Sequence, residues 1–383
     1  MDMNRWLDGQ RLVVCVGSGG VGKTTTAASI GVWAAARGRK VMVLTIDPAK
    51  RLANSLGLDA IGGEGARIDL SPVAPAEGGS LHAMMLDSRG TFDAIIGRVA
   101  PTEELRDRVL SNTVYRYMAD SFASSQDYMA TEKLYDLVSS GQYDLVVLDT
   151  PPVKNALDFL ESPGRVVSFF DERVYGWFVD TYDQESVKGG FFGRKLMAST
   201  SAMVWKLLSY VLGEEFLGEL ASFFKDFQAL YEGFRERHDA VLSMLRAPGT
   251  AFVSVCAPNE ASIEIARYFQ GELSARALPS HGVIVNQVHR CEGEVHDAAA
   301  LLGDTLDGVA PGVDPSTRAA ILARLGMAHR RLAKLAQGEQ ELTGAVRSVL
   351  TPEQFYREVP RLEDEVHELG SLYEVGKHLF EGP

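Results

Sequence analysis

Short apolar runs alternate with helix-length segments along most of the chain. Runs rich in Val, Ile and Leu are typical of buried strands, and longer stretches with apolar residues three or four positions apart predict helices. The predicted strands are residues 11–16, 40–46, 143–148, 250–256 and 282–288, with weaker ones at 81–86 and 355–359. The predicted helices include residues 23–37, 130–138, 263–275 and 316–337. This alternation predicts an α/β fold with a doubly wound, mostly parallel sheet.

Two segments interrupt the alternation. Residues 59–80 are rich in Gly, Pro and Ala and are predicted to form a loop. Residues 165–247 have helical spacing with little strand pattern, and 16 of the 33 aromatic residues of the chain lie between 169 and 234. We therefore divide the chain into residues 1–164, a helical insertion at 165–247, and residues 248–383. The aromatic side chains of the insertion either pack against one another or form an apolar surface for a client or partner, and composition is compatible with both.

The composition of the chain narrows its class. It has 383 residues and a formal net charge of −13, with a pI near 5.2. This acidic balance disfavours nucleic acid and anionic membranes as main partners. The three cysteines (Cys15, Cys256 and Cys291) form no C-x-x-C pair, so neither a disulfide framework nor a zinc site is expected. Without a signal peptide or a membrane-length apolar run, the sequence predicts a cytoplasmic protein with no stable membrane insertion.

A glycine-rich phosphate-binding motif follows the first predicted strand. Residues 17–24 fit G-x-x-x-x-G-K-[ST] and stand between a Val-rich strand and a helix, the context that the motif requires. Backbone N–H groups and the helix N-terminus bind phosphate oxygens in such a loop, while the lysine reaches the β- and γ-phosphates and the hydroxyl ligates Mg²⁺. The predicted nucleotide-binding residues are Gly17, Ser18, Gly19, Gly20, Val21, Gly22, Lys23, Thr24 and Thr25. Lys23 is also assigned a catalytic role, and Thr24 a metal-binding one.

Two acidic residues lie at the ends of predicted strands, where such a site needs them. Asp149 ends a Val- and Leu-rich strand and is predicted to hold Mg²⁺ together with Thr24. Asp47 ends another strand and precedes Pro48. An Asp-Pro pair also starts helices without any chemistry. The pattern alone is therefore compatible with two roles for Asp47: a helix cap, or a catalytic carboxylate that orients the attacking water.

The ordered set of motifs resembles the arsenite-pump (ArsA) and tail-anchored-protein targeting ATPase family. The double glycine of residues 17–25 is similar to the deviant Walker A motif of the SIMIBI class of P-loop NTPases. Asp47-Pro48-Ala49 resembles the first switch of the family, and Asp149-Thr150-Pro151-Pro152 resembles its second. Val285-Asn286-Gln287 is similar to its adenine-reading strand end, and Val359-Pro360 to the loop that closes over adenine.

The resemblance covers nearly the whole chain and implies both a fold and an activity. The implied fold is that of a SIMIBI-class P-loop NTPase with a client-binding helical subdomain at the position of the insertion. The implied enzyme is a Mg²⁺-dependent ATPase that binds ATP and ADP, in which Asp47 is catalytic and Asn286 and Pro360 contact adenine. Nucleotide-driven opening and closing of a dimer would then be coupled to a hydrophobic protein client.

Two departures from the family pattern concern the partner subunit. Ser18 stands where most relatives carry a signature lysine that reaches the partner's phosphates across the dimer. Lys50, Arg51 and Lys154 are the candidate replacements. The C-x-x-C zinc clamp of the eukaryotic members is also missing, because only Cys291 lies in that region, so no zinc is predicted.

These departures leave alternatives to an active homodimer. A heterodimer with a lysine-bearing paralogue would supply the missing cation. A chain that holds nucleotide but turns over little would instead be a regulatory subunit. An arsenite or other anion-pump subunit is disfavoured, because arsenite requires clustered thiolates.

Overall fold

The computed structural model describes most of the chain. The described residues are 1–47, 51–58, 61–123, 126–151, 213–291, 312–362 and 368–382, with residues 210, 306, 308, 309 and 366. Lys50, Lys154 and most of the predicted insertion lie outside these residues, as does the side chain of Arg51.

One eight-stranded sheet forms the centre of the described part. Its strands are β1 (Leu12–Val16), β2 (Lys40–Thr45), β3 (Ala66–Ile68), β4 (Ser80–Met85), β5 (Leu145–Asp149), β6 (Thr250–Cys256), β7 (Ser280–Val288) and β8 (Phe355–Pro360). Their order is β3-β4-β2-β5-β1-β6-β7-β8, and every neighbouring pair except β3 with β4 is parallel. The predicted α/β fold with a mostly parallel sheet is confirmed.

Strand β3 corrects the prediction that residues 59–80 form only a loop. Its three residues pair antiparallel with β4, and Ile68 stands opposite Leu81. Ile68 is also the one buried residue of the strand. A three-residue edge strand has too few positions for an alternating pattern, so no sequence pattern predicts it.

Helices cover both faces of the sheet. They are α1 (Met3–Asp8), α2 (Lys23–Ala36), α3 (Arg51–Ser55), α4 (Ser88–Val99), α5 (Glu103–Ser111), α6 (Thr113–Ala123), α7 (Gln126–Ser139), α8 (Glu214–Gln228), α9 (Tyr231–Arg246), α10 (Glu260–Ala275), α11 (Pro315–Arg347) and α12 (Leu369–Phe380). Among the described residues, none of these helices is both long and apolar enough to span a bilayer.

Alternate residues of β1 pack into two different core layers, because successive side chains of a strand point to opposite faces. Val13 and Cys15 join the layer formed with α2 and α12, and Leu12 and Val14 join the layer formed with α7, α9 and α10. In the first layer, the Trp33 ring of α2 stacks on Tyr373 and Phe380 of α12, with centroid distances of 5.1 and 5.6 Å. Helix α2, which begins at Lys23, is therefore enclosed between the sheet and α12.

Some aromatic side chains of the predicted insertion pack in the hydrophobic core. Phe223 and Phe227 of α8 and Phe234 of α9 are buried in one cluster with Phe92 and Tyr115. The Phe227 and Phe234 rings stack with centroids 5.4 Å apart. Internal packing therefore accounts for these three rings, whereas residues 165–209 lie outside the described part of the chain.

A pair of helical glycines tests how closely α2 packs on the sheet. A Cβ at Gly31 would lie 2.5 Å from Val43 Cγ2, whereas a Cβ at Gly271 in α10 would meet nothing within 4 Å. We expect Gly31→Ala to lower the free energy of unfolding by about 1–3 kcal/mol through overpacking. Gly271→Ala should raise it by up to about 1 kcal/mol through helix propensity. Urea unfolding followed by circular dichroism measures both, and equal effects would contradict the close packing of α2.

Candidate functional site

The carboxyl ends of three neighbouring strands bring the predicted catalytic groups together. Strand β5 lies between β1 and β2, with Asp149 in register with Cys15 on one side and Thr45 on the other. The glycine-rich loop follows β1, and Asp47 follows β2 two residues after Thr45. Ligand sites of open parallel sheets lie at this edge. The strand order thus juxtaposes the phosphate loop, Asp47 and Asp149.

The phosphate loop packs tightly at its first glycine. A Cβ at Gly17 would lie 2.0 Å from the Val255 carbonyl oxygen, so only glycine fits there. At the other end of the loop, Gly22 has a φ of +88° and is the N-cap of α2. The ammonium group of Lys23 donates to the Ser18 carbonyl at 2.8 Å, across the loop. This closed arrangement is that of a preformed anion-binding turn at a helix N-terminus.

The nine predicted loop residues differ in their exposure. Gly17, Val21 and Lys23 are buried, Ser18, Gly22, Thr24 and Thr25 are half-buried, and Gly19 and Gly20 are exposed. The middle of the loop is therefore open to a ligand, whereas its two ends are held by protein.

Asp149 accepts two hydroxyl hydrogen bonds. Its Oδ2 accepts from Thr24 Oγ1 at 2.7 Å and from Thr45 Oγ1 at 3.1 Å. Burial raises the pKa of the Asp149 carboxyl to about 6, although both hydroxyls and the Lys23 charge act to lower it, while the charge of Asp47 raises it further. The site thus holds a desolvated carboxylate oriented by two threonines.

The second oxygen of this carboxyl fits a metal ion. Asp149 Oδ1 is buried and has no hydrogen-bond partner among the described residues. A hydroxyl and one carboxylate are hard oxygen ligands of the kind that Mg²⁺ uses, alongside phosphate oxygens and water. The described residues contain no cluster of three or more His, Cys, Asp or Glu side chains that would hold a metal by protein ligands alone. The donor set therefore fits Mg²⁺ bound together with a nucleotide.

Asp47 lies half-buried at the edge of this group. Its backbone N–H donates to Thr45 Oγ1 at 3.2 Å, the same hydroxyl that donates to Asp149. Thr45 therefore links the two acidic residues. Pro48 lies outside the described residues, and the choice between a catalytic and a capping role for Asp47 stays a prediction.

Asn286 and Pro360 lie on the other side of the loop. Asn286 follows Val285 near the end of β7 and is only 8% exposed, and its Nδ2 donates to the Val21 carbonyl at 2.9 Å. Pro360 ends β8 and pairs with Val288 of β7. The structure thus brings Asn286 against the phosphate loop, a contact that the sequence did not predict, and the adenine contacts of both residues stay predictions.

Ser18 contacts its own chain. Its hydroxyl oxygen lies 3.1 Å from that of Ser262 in the first turn of α10. Ser262 N–H in turn donates to Asn259, the N-cap of that helix. Ser262 was not predicted from the sequence, although Asn259, three residues after the end of β6, predicts a helix start at the same sheet edge.

The residue after Asp149 is hydrogen-bonded to β1. The Thr150 hydroxyl donates to the Cys15 carbonyl at 2.8 Å. Thr150 and Thr45 were not predicted as site residues. Each is a threonine at the carboxyl end of a buried strand, and this position is the sequence feature that could have indicated a site residue.

Comparison with known proteins identifies the family of the chain. The sequence profile of the anion-transporting ATPase family matches residues 10–298. An "ATPase GET3" of Malassezia globosa is 25% identical over 278 residues, which cover 72% of each chain. An "ATPase GET3" of Paracoccidioides lutzii is 26% identical over 288 residues, which cover 73% of each chain. An "ATPase ASNA1 homolog 2" of Paramecium tetraurelia is 23% identical over 272 residues, 71% of this chain and 74% of its own. The chain therefore belongs to the anion-transporting ATPase family and is an ATPase.

Proposed function

We propose that this ATPase requires Mg²⁺ and couples nucleotide-dependent opening and closing of a dimer to a protein client. The observation that carries the metal requirement is the buried Asp149 carboxyl, with Thr24 on one oxygen and no described partner on the other. A buried charged oxygen without a partner is costly, and a cation at this point offsets the cost.

The chain's own groups divide the work of phosphoryl transfer. Loop N–H groups and the N-terminus of α2 bind phosphate oxygens, and Lys23 exchanges its contact with the Ser18 carbonyl for the β- and γ-phosphates. Asp149 orients the Thr24 hydroxyl, and Asp47 orients a water molecule and accepts its proton. When bound, Mg²⁺ neutralises the charge of the phosphate oxygens. We also assign adenine contacts to Asn286 and Pro360.

The motif resemblance to tail-anchored-protein targeting ATPases supports a hydrophobic protein as the client. The aromatic-rich insertion at 165–247, the middle one of the three proposed units, is the segment proposed to bind it. Anion transport through the thiols is the weaker candidate. Burial raises the pKa of Cys15 well above its ordinary value and that of Cys256 to about 12, so neither thiol is a ready thiolate ligand.

The test is steady-state ATP hydrolysis by the purified full chain, beside its mass in solution with ADP, with a non-hydrolysable ATP analogue and without nucleotide. We expect turnover with Mg²⁺, none in EDTA, and a dimer whose hydrodynamic radius changes with nucleotide. A chain that binds no Mg-ATP would contradict the proposal. A chain that binds Mg-ATP but hydrolyses it very slowly favours the regulatory-subunit alternative or the heterodimer.

Ser18 favours dependence on a second subunit. Its hydroxyl is neutral and contacts Ser262 of the same chain, so it supplies no charge to a partner's γ-phosphate. Cations supplied in trans accelerate phosphoryl transfer by roughly 10³-fold or more. We therefore propose a heterodimer in which a lysine-bearing paralogue completes the site of this chain. Mixing in a paralogue whose own phosphate-loop lysine is disabled should stimulate hydrolysis, and no added activity would exclude this arrangement.

The same position gives a prediction for the chain alone. Ser18→Lys should speed hydrolysis by the homodimer by at least about tenfold, because it restores a cation that reaches the partner site. Ser18→Ala is the matched control, since it removes the Ser262 contact without adding charge, and it should not accelerate turnover. Initial rates at saturating Mg-ATP measure both. Equal rates for the wild type and the Lys variant would show that another group already fills this role.

A further inference from the structure

We propose that Asn286 is a positioning residue for the phosphate loop and sets phosphate affinity whatever base the ligand carries. This inference rests on the proposed nucleotide site. Its Nδ2 donates to the carbonyl of Val21, the residue two before Lys23. Val21 is itself 2% exposed, so this carbonyl has little access to water that would replace the bond.

The carboxamide also occupies space that the loop leaves for it. A Cβ at Gly22 would lie 2.1 Å from Asn286 Nδ2, so the amide packs directly on the loop backbone. The positive φ of Gly22 turns the chain into α2 at this point. Asn286 thus holds both the carbonyl before Gly22 and the surface of Gly22 itself.

The backbone of strand β7 is distorted next to Asn286. Gln287 has a φ of +63°, in the left-handed region that residues other than glycine seldom adopt. The pairing of β7 with β8 also shifts register between Val285 and Val288. A disfavoured backbone conformation persists only where its surroundings hold it. The contact between Asn286 and Val21 is one such constraint, placed next to the distortion.

Three contacts then fix the loop from the side of β6, β7 and α10. Gly17 abuts the Val255 carbonyl, the Ser18 hydroxyl contacts Ser262, and Val21 accepts from Asn286. A loop held in its binding conformation loses less entropy when it closes on phosphate, so its affinity is higher. Among these contacts, only that of Asn286 holds the half of the loop adjoining Lys23.

A base-free ligand separates this role from adenine reading. The probes are Mg-tripolyphosphate and Mg-ATP, titrated by calorimetry into the full chain. Asn286→Ala removes the amide, and Asn286→Asp keeps an acceptor oxygen for the adenine amino group but has no N–H for Val21. Gln142→Ala removes an exposed side-chain amide in the turn before β5, at the opposite edge of the sheet, and is the control.

We expect both Asn286 variants to bind tripolyphosphate about tenfold more weakly. Asn286→Asp should lose ATP affinity by the same factor, whereas Asn286→Ala, which also lacks the proposed adenine contact, should lose at least that much. Backbone amides of residues 19–24 should also exchange hydrogen faster in the nucleotide-free Asn286 variants, and Gln142→Ala should change none of these quantities. Unchanged tripolyphosphate affinity in the folded variants overturns the inference, whether or not ATP affinity falls. A wild-type chain that binds neither ligand would instead contradict the proposed function.

Discussion

Asp47→Asn should bind Mg-ATP as tightly as the wild type and hydrolyse it about 10³-fold more slowly. The amide has no basic oxygen to take up the proton of the attacking water, and general bases typically contribute roughly 10²–10⁴-fold. Asparagine caps helices as well as aspartate does, so this substitution removes the charge and keeps any capping role. Calorimetric titration of Mg-ATP together with single-turnover hydrolysis measures the two quantities separately.

Two further variants bracket this result. Asp87→Asn makes the same change at an established helix cap, where Asp87 accepts from the Gly90 N–H at the start of α4, and hydrolysis should be unaffected. Lys23→Ala should bind no ATP, because the cation that faces the phosphates is lost, and it therefore sets the baseline of both assays. If Asp47→Asn hydrolyses ATP within a few-fold of the wild-type rate, Asp47 is a helix cap and not a catalytic residue.

The second large effect is a pH-dependent gain of stability in Asp149→Asn. The pKa of Asp149 is raised from 3.8 to about 6 in the folded chain, mainly by burial. Protonated Asp149 therefore contributes its whole share of the free energy of unfolding below pH 4. This contribution is lost as the pH rises through 6, because the buried carboxyl then ionises. The whole change is about 3 kcal/mol at about 1.4 kcal/mol for each pKa unit. The Asn variant does not titrate, so its free energy of unfolding relative to the wild type should rise by that order between pH 4 and 7.

Urea unfolding in EDTA at several pH values measures this difference. Thr45→Val is the matched control, because the Thr45 hydroxyl lowers the pKa of Asp149 and its loss should extend the titration to higher pH. A pH-independent difference between Asp149→Asn and the wild type would show that water or another group solvates the carboxyl in the folded chain.

The parts of the structure that the sequence predicted are those with a local physical cause. Strand β6 was predicted at its observed residues 250–256, because all seven are buried and the run is bounded by turn residues. The phosphate loop was predicted because glycine is required where Val255 approaches Gly17. Asp149 was predicted because it ends a Val- and Leu-rich strand, where a phosphate-binding site needs a carboxylate.

The missed parts depend on contacts between distant segments. Helix α11 was predicted to end near residue 337 but reaches Arg347. Its last turns are held by buried Glu339, which accepts from the His289 N–H at 2.7 Å, and by Val346, which packs in one cluster with Val283 and Val285 of β7. The contact between Asn286 and Val21 joins residues far apart in sequence, so no local pattern encodes it. Hydrogen bonds of this kind follow from the strand order, which the sequence left open.

The packing of Trp33 has a consequence for the synthesis of the protein. Its two stacking partners in α12, Tyr373 and Phe380, are translated about 340 residues after it. At roughly 5–20 residues per second, the interval is on the order of 20–70 s. During that time the helix that begins at Lys23 has one apolar face without its native cover. A nascent chain should therefore acquire full affinity for nucleotide only late in translation, and until then this helix is a surface that chaperones are expected to protect.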